Sequence, residues 1–143
     1  MDEPCGIFLT TKDVLSKQNG FDTPYLNGSM PMINCSRSPL APLKMYWMIK
    51  KYGKERFEAG TKKMLEDANY LHKRLQEVGW PAWLGQGSNT VFFKRPSKEI
   101  VDKYGLCPEY DDRFGGELAH MIVMEHVEKE IIDEFITDIA NQR

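Results

Sequence analysis

Strand-like and helix-like segments alternate in the second half of this chain. That pattern predicts an α/β sandwich, with strands feeding helices that return to cover a sheet. Two segments carry the prediction. Phe57, Thr61, Met64, Leu65, Ala68, Leu71, Leu75 and Val78 keep a helical spacing over more than twenty residues, as one apolar stripe of a long helix does. Thr90–Lys94 is a β-rich run bounded by glycine-containing and proline-containing turns, the signature of a short strand.

Taken in order, residues 6–10 are a short apolar run and predict a strand. Thr11 is placed to cap a short helix through Lys17. Residues 18–34 contain Asn19-Gly20, Asn27-Gly28 and two prolines without periodicity, which reads as an irregular loop. A helix over residues 39–51 follows, with Ser38 as its cap and Pro39 at the first position, where a missing N–H is no loss. Leu40, Leu43 and Trp47 give that helix one apolar face. The long stripe is read as core, and Gly79 closes it in the left-handed conformation that ends many helices. Ser97 caps a short helix to Tyr104. Residues 107–116, with Asp111-Asp112 and Gly115-Gly116, read as a solvated acidic loop rather than a carboxylate site. Residues 118–124 form a strand that puts His120, Ile122 and Met124 on one face and Met121 and Val123 on the other. Both faces are apolar beyond His120, so this strand is expected to be central in its sheet. A helix over residues 127–142 buries Ile131, Ile132, Phe135, Ile136 and Ile139.

Composition sets the outer limits. The chain has 143 residues, 41% hydrophobic and 11% aromatic, enough apolar content for a folded core rather than disorder. Nineteen Lys and Arg against 21 Asp and Glu leave a net charge of −2. Without a basic tract there is no electrostatic case for nucleic acid or an anionic membrane surface. No apolar run has the length of a membrane span, and Met-Asp-Glu-Pro lacks the features of a signal peptide, so a cytoplasmic protein is expected. Cys5, Cys35 and Cys107 are odd in number and widely spaced, which fits free thiols. With His72, His120 and His126 they make no close-spaced ligand set, so no metal is expected.

The chemistry-bearing segment is Ser36-Arg37, a hydroxyl and a guanidinium just ahead of a helix start, where free backbone N–H groups gather. Such a place can receive a phosphate. Ser and Arg before a helix are more often only a cap beside a solvated charge. Ser36-Arg37-Ser38 with Ala41-Pro42-Leu43 and Tyr46-Trp47 resembles the segment following the cofactor lysine in group II pyridoxal-phosphate-dependent amino-acid decarboxylases, the histidine and serine decarboxylase branch above all. Pro4-Cys5-Gly6-Ile7, Tyr52 to Phe57, Asn69-Tyr70-Leu71 with Arg74-Leu75, Ser88 to Pro96 and Ala119 to Met124 resemble further stretches of the family in the same order.

The resemblance implies the C-terminal portion of a fold-type I pyridoxal-phosphate enzyme. Residues 1–53 would be the tail of the large cofactor domain, and residues 54–143 the connecting helix and small C-terminal α/β domain. It implies that Ser36 and Arg37 bind the phosphate of pyridoxal phosphate, and that His120, matched by a histidine in the family, has a substrate or interface role. The plain reading of His120 is a strand-start histidine hydrogen-bonded to a nearby carbonyl. In the family, the Schiff-base lysine and its companions lie upstream of the stretch resembling Pro4-Cys5-Gly6, which here falls before Met1. Lys12, Lys44 and Lys50 sit in surface patterns instead. The chain is therefore expected to hold no catalytic residue and to be inactive alone, with the cofactor and an amino-acid substrate bound only in a complete enzyme. Apolar surface from Ile33, Leu43 and Trp47 would then be left open, to be covered by the missing large domain or by homo-oligomerisation.

Departures cluster near the cofactor segment. Cys35 replaces a usual glycine, Pro39-Leu40 stands where the branch carries Gly-His, and Ser29-Met30-Pro31-Met32 replaces an acidic, threonine-rich loop. These changes leave open a different substrate, or a non-catalytic α/β interaction or scaffold module derived from the fold.

Overall fold

The structure is a computed structural model that describes residues 10–17, 21–23, 28–30 and 38–142. The chain divides into two units, Met1–Gly53 and Lys54–Arg143.

In the first unit, α1 (Lys12–Ser16) begins where Thr11 Oγ1 accepts a bond from the Val14 N–H at 3.3 Å, the cap expected there. The segment read as an irregular loop contains a small antiparallel pair, β1 (Phe21–Thr23) with β2 (Gly28–Met30). Three-residue strands are too short to show alternation. The run over residues 6–9 lies outside the described residues. Helix α2 (Leu40–Glu77) is interrupted at Gly53, whose φ of 73° and ψ of 174° are not helical. A positive φ of this kind is open to glycine at little cost.

The second unit holds a four-stranded antiparallel sheet in the order β3-β4-β6-β5, made of β3 (Ala82–Leu84), β4 (Thr90–Lys94), β5 (Cys107–Asp111) and β6 (Gly116–Ile122). Helix α3 (Lys98–Tyr104) links β4 to β5, and α4 (Lys129–Asn141) follows β6. Ala68, Leu71 and Leu75 from α2 meet Val91, Phe93 and Ala119 from the sheet and Ile132, Phe135, Ile136 and Ile139 from α4 in one core. All the packed helices lie against one face, which gives the expected α/β sandwich. The β6 strand is central, as its two apolar faces predict.

Helix α2 ends as its sequence predicts. Gly79 has φ 66°, the Trp80 N–H bonds the Leu75 carbonyl at 2.8 Å and the Gly79 N–H bonds the Gln76 carbonyl at 2.9 Å. This paired pattern uses two of the helix's last free carbonyls. Other expectations need correction. Only the later part of the α2 stripe is core; Phe57 is 41% exposed and lines an open groove with Thr61 and Leu65. Ile131 is exposed too, because its helical angle points it away from the Ile132–Phe135–Ile139 side. Ser97 precedes α3 but makes no capping side-chain bond. Residues 107–111 form the edge strand β5, not a loop. Proline is tolerated on an edge strand because its missing N–H can fall on the open side, where no ladder partner needs it. Strand β3 was not visible as a periodic segment at all.

A charged cluster clamps α3 to α4. Lys103 Nζ lies 2.7 Å from both Glu134 Oε1 and Asp138 Oδ2, and the Tyr104 hydroxyl donates to Asp138 Oδ2 at 2.8 Å. The Lys103 bond, then the Tyr104 bond, holds the Asp138 carboxyl below its ordinary value of 3.8. A depressed carboxyl stabilises the fold above its unfolded value and loses that contribution as pH falls through its folded value. Melting temperature is therefore expected to drop below about pH 4, with a shallower drop in Asp138→Asn. Melts taken in steps toward pH 3 decide it: identical slopes for the two proteins would exclude the role.

Candidate functional site

A first candidate place, the helix start of α2, adjoins the segment expected to receive a phosphate. Ser38 Oγ accepts a bond from the Leu40 N–H at 3.3 Å, so Ser38 is the cap. Ser36, Arg37, Cys5, Cys35 and Ile33 lie outside the described residues. The apolar face expected on this helix is present and uncovered: Leu40, Leu43 and Trp47 are exposed. Trp47 meets Tyr52 edge-on at 6.3 Å, with Lys51 Nζ 4.5 Å above its ring. Lys12, Lys44 and Lys50 are exposed, which agrees with surface roles.

The second place is the sheet face opposite the helices. Register aligns Trp83, Phe92, His120 and Cys107 in one row across all four strands. Leu118 and Glu109 sit opposite each other in the next row. The turn after β5, a 3-10 segment at Asp112–Phe114, bends over this face and sets Phe114 edge-on to Trp83 at 5.1 Å. Trp83, Phe92, Phe114 and Leu118 then line a pocket of about 480 Å³, with Glu109 and Arg113 among its polar residues.

His120 occupies the middle of its strand rather than the start. Its ring is 5.2 Å from that of Phe92, and its Nδ1 lies 3.4 Å from Glu109 Oε1. That is ion-pair range without hydrogen-bond geometry, and the buried Nδ1 has no hydrogen-bond partner among the described residues. Nδ1 bonds no carbonyl among the described residues, and the Glu109 carboxylate lies near it across the strand pair. Cross-strand geometry, which depends on the unrecognised β5, decided this.

The Asp111-Asp112 pair is engaged locally. Asp111 accepts from Arg113 Nη2 at 2.6 Å and from the Arg113 N–H at 3.0 Å; these bonds hold its carboxyl below the ordinary range. Asp112 accepts from the Tyr110 hydroxyl at 2.9 Å. Cys107 is a free, exposed thiol. Among the described residues no group of three His, Cys, Asp or Glu side chains is arranged to hold a metal, and no helix is long and apolar enough to cross a membrane.

Comparison with known proteins covers nearly the whole chain. It is 30% identical over 141 residues to serine decarboxylase 1 of Oryza sativa subsp. japonica, a match taking in 98% of this chain and 28% of that protein. Histidine decarboxylase of Solanum lycopersicum is 28% identical over 97% of this chain and 32% of its own length. The Vibrio campbellii histidine decarboxylase is 30% identical over 96% and 35%. The chain thus spans about a third of the length of the relatives it matches. Among solved structures, L-methionine decarboxylase from Streptomyces sp.590 superposes with a TM-score of 0.62 at 24% identity, over 80% of this chain and 24% of that one. The chain is thus similar to the C-terminal part of group II decarboxylases. No family model matches it. The region shared with the decarboxylase relatives includes both the α2 helix start and the sheet. No local pattern in the sequence marks the Trp83–Phe114 pocket, since Phe114 meets Trp83 only through the folded turn.

Proposed function

We propose that the chain acts as the C-terminal part of a pyridoxal-phosphate-dependent amino-acid decarboxylase of the histidine and serine branch. The observation that carries this reading is a match to serine and histidine decarboxylases along 96–98% of the chain. When bound, the cofactor supplies an electron sink that lets the substrate α-carboxylate leave as CO₂. Ser36 and Arg37 would hold its phosphate: a hydroxyl and a guanidinium suit a phosphate dianion, and capping by Ser38 makes no demand on Ser36. The loop would reach the cofactor of a neighbouring subunit in a dimer, while the large domain contributes the lysine. Residues 1–53 complete that large domain and residues 54–143 form the small one. His120 would act at a substrate or domain interface through its pairing with Glu109. A cytoplasmic enzyme agrees with the free Cys107 thiol.

The 143-residue chain alone is expected to release no CO₂ from serine or histidine. Borohydride reduction with pyridoxal phosphate should label no single lysine stoichiometrically. Combined with the upstream portion of the rice serine decarboxylase, the chain should gain cofactor binding, and Ser36→Ala should weaken it about tenfold, the scale of one hydrogen bond to a charged group. Stoichiometric labelling of one internal lysine in the chain alone, or unchanged affinity in Ser36→Ala, would overturn the reading.

A further inference from the structure

Helix α2 enters the Lys54–Arg143 unit well before it reaches the core. Its contributors to that core begin at Ala68, and among residues 54–66 Gly60 alone is buried. What covers Gly60 is charge: a Cβ built there would collide with the Glu125 carboxylate and the Arg56 guanidinium. Arg56 grips that carboxylate with two nitrogens, Nη1 to Oε1 at 3.1 Å and Nη2 to Oε2 at 2.5 Å. Further along the helix, Lys63 Nζ donates to the buried Asp67 carboxylate at 2.9 Å. The same ammonium reaches the Glu125 and Val127 carbonyls at 3.2 and 3.4 Å and lies 3.5 Å from Glu128 Oε2. Residues 125–128, which follow β6, are thereby tied to α2 by ionic groups.

We propose that these groups form an ionic latch, which holds residues 54–66 of α2 onto the stretch after β6 and, when screened or broken, lets that part of the helix open while the core from Ala68 onward stays closed. Segments with few buried apolar contacts are the first to open. The side chains of Arg56 and Glu125 are 52% and 40% exposed, so dissolved salt can reach the pair. Gly60 is the third part of the device. Glycine weakens a helix interior relative to alanine, and here its missing side chain is what lets the carboxylate settle. Lys54 directly follows Gly53, where the helix breaks. The latch therefore decides whether the two units are joined through a stiff helix or a loosened one.

Amide hydrogen exchange on the 143-residue chain tests this residue by residue. Glu125→Ala should speed exchange over residues 58–66 about fivefold, the scale of a well-formed exposed ion pair, and leave Leu71, Leu75 and Phe93 unchanged. Sodium chloride at about 1 M, where screening acts within about 3 Å, should remove the difference between the two proteins. Gly60→Ala supplies the sign. With Glu125 absent, alanine should slow exchange about fivefold, as it does in an ordinary helix. With Glu125 present, the new Cβ displaces the carboxylate, and that gain should vanish or reverse. An equal benefit of Gly60→Ala in both backgrounds overturns the latch, and so does exchange over residues 58–66 that is indifferent to Glu125→Ala or to salt. Acceleration spreading equally to Leu71 and Phe93 also overturns it, because the same groups would then support the whole unit.

Discussion

Phe135→Ala is expected to cost the Lys54–Arg143 unit about 3–5 kcal/mol, the usual range for removing a buried phenyl ring. Phe135 has no solvent exposure and lies at the meeting point of helix and sheet, 5.5 Å from the Phe93 ring and 5.1 Å from that of Tyr104. Phe93 and the rest of α4 are held by the sheet and by the Lys103–Asp138 clamp, so the site cannot collapse to fill the void. A loss of this size is comparable to the whole stability of many domains, about 5–15 kcal/mol. Urea unfolding followed by far-ultraviolet circular dichroism should show most of the variant unfolded at low denaturant. Phe135→Leu, which keeps much of the volume, should retain a cooperative transition. A change below about 1 kcal/mol for the alanine variant would mean that the core is not packed around this ring.

Arg95→Met should act at the sheet edge. The Arg95 guanidinium donates to the Leu118 carbonyl at 3.0 Å, to the Glu109 carbonyl at 2.6 Å and to Glu117 Oε1 at 3.3 Å. One side chain from the end of β4 thus reaches carbonyls on both β6 and β5. Methionine keeps the aliphatic stem and removes every donor. The expected loss is about 2 kcal/mol, the scale of unsatisfied polar groups in a partly shielded site. Amides of β5 should exchange faster while those of β4 stay protected. Uniform acceleration across the sheet would instead show that Arg95 supports the unit as a whole.

What the sequence made visible followed from length and periodicity. Helix α4 declared itself because Ile132, Phe135, Ile136 and Ile139 repeat at helical spacing, and Gly79 marked the end of α2. Strand β4 stood out because its five residues fall between turn signals. Strands β3 and β5 did not. Three residues, Ala82–Leu84, cannot display alternation, and Pro108, Glu109 and Asp111 oppose strand propensity. Those residues are nevertheless what an edge strand carries, since proline and charge discourage further pairing. The site was legible in proportion: Ser38 as a cap and His120 on a central strand followed from local pattern. The Trp83–Phe114 contact joins segments far apart in sequence, which no local pattern encodes, and the Glu109–His120 pair depends on β5, whose residues do not read as a strand. The burial of Asp67, bonded to Lys63 Nζ at 2.9 Å, was likewise hidden, because a charged residue in an apolar stripe reads as a solvated one.

The strand order has a consequence for how the unit is assembled in time. Strands β3 and β4 are neighbours in sequence and in space, and so are β5 and β6. Each pair can zip as a hairpin on the microsecond scale of local closure. The β4–β6 ladder is different: it joins Phe92 to His120 across the intervening α3 and β5, so chain entropy must be lost before that seam rewards it. The seam is therefore the slow step, and until it closes both hairpins present an unpaired inner edge. Nascent chains are most exposed to mispairing in that interval, and the sticky edges are the two that end up in the middle of the finished sheet.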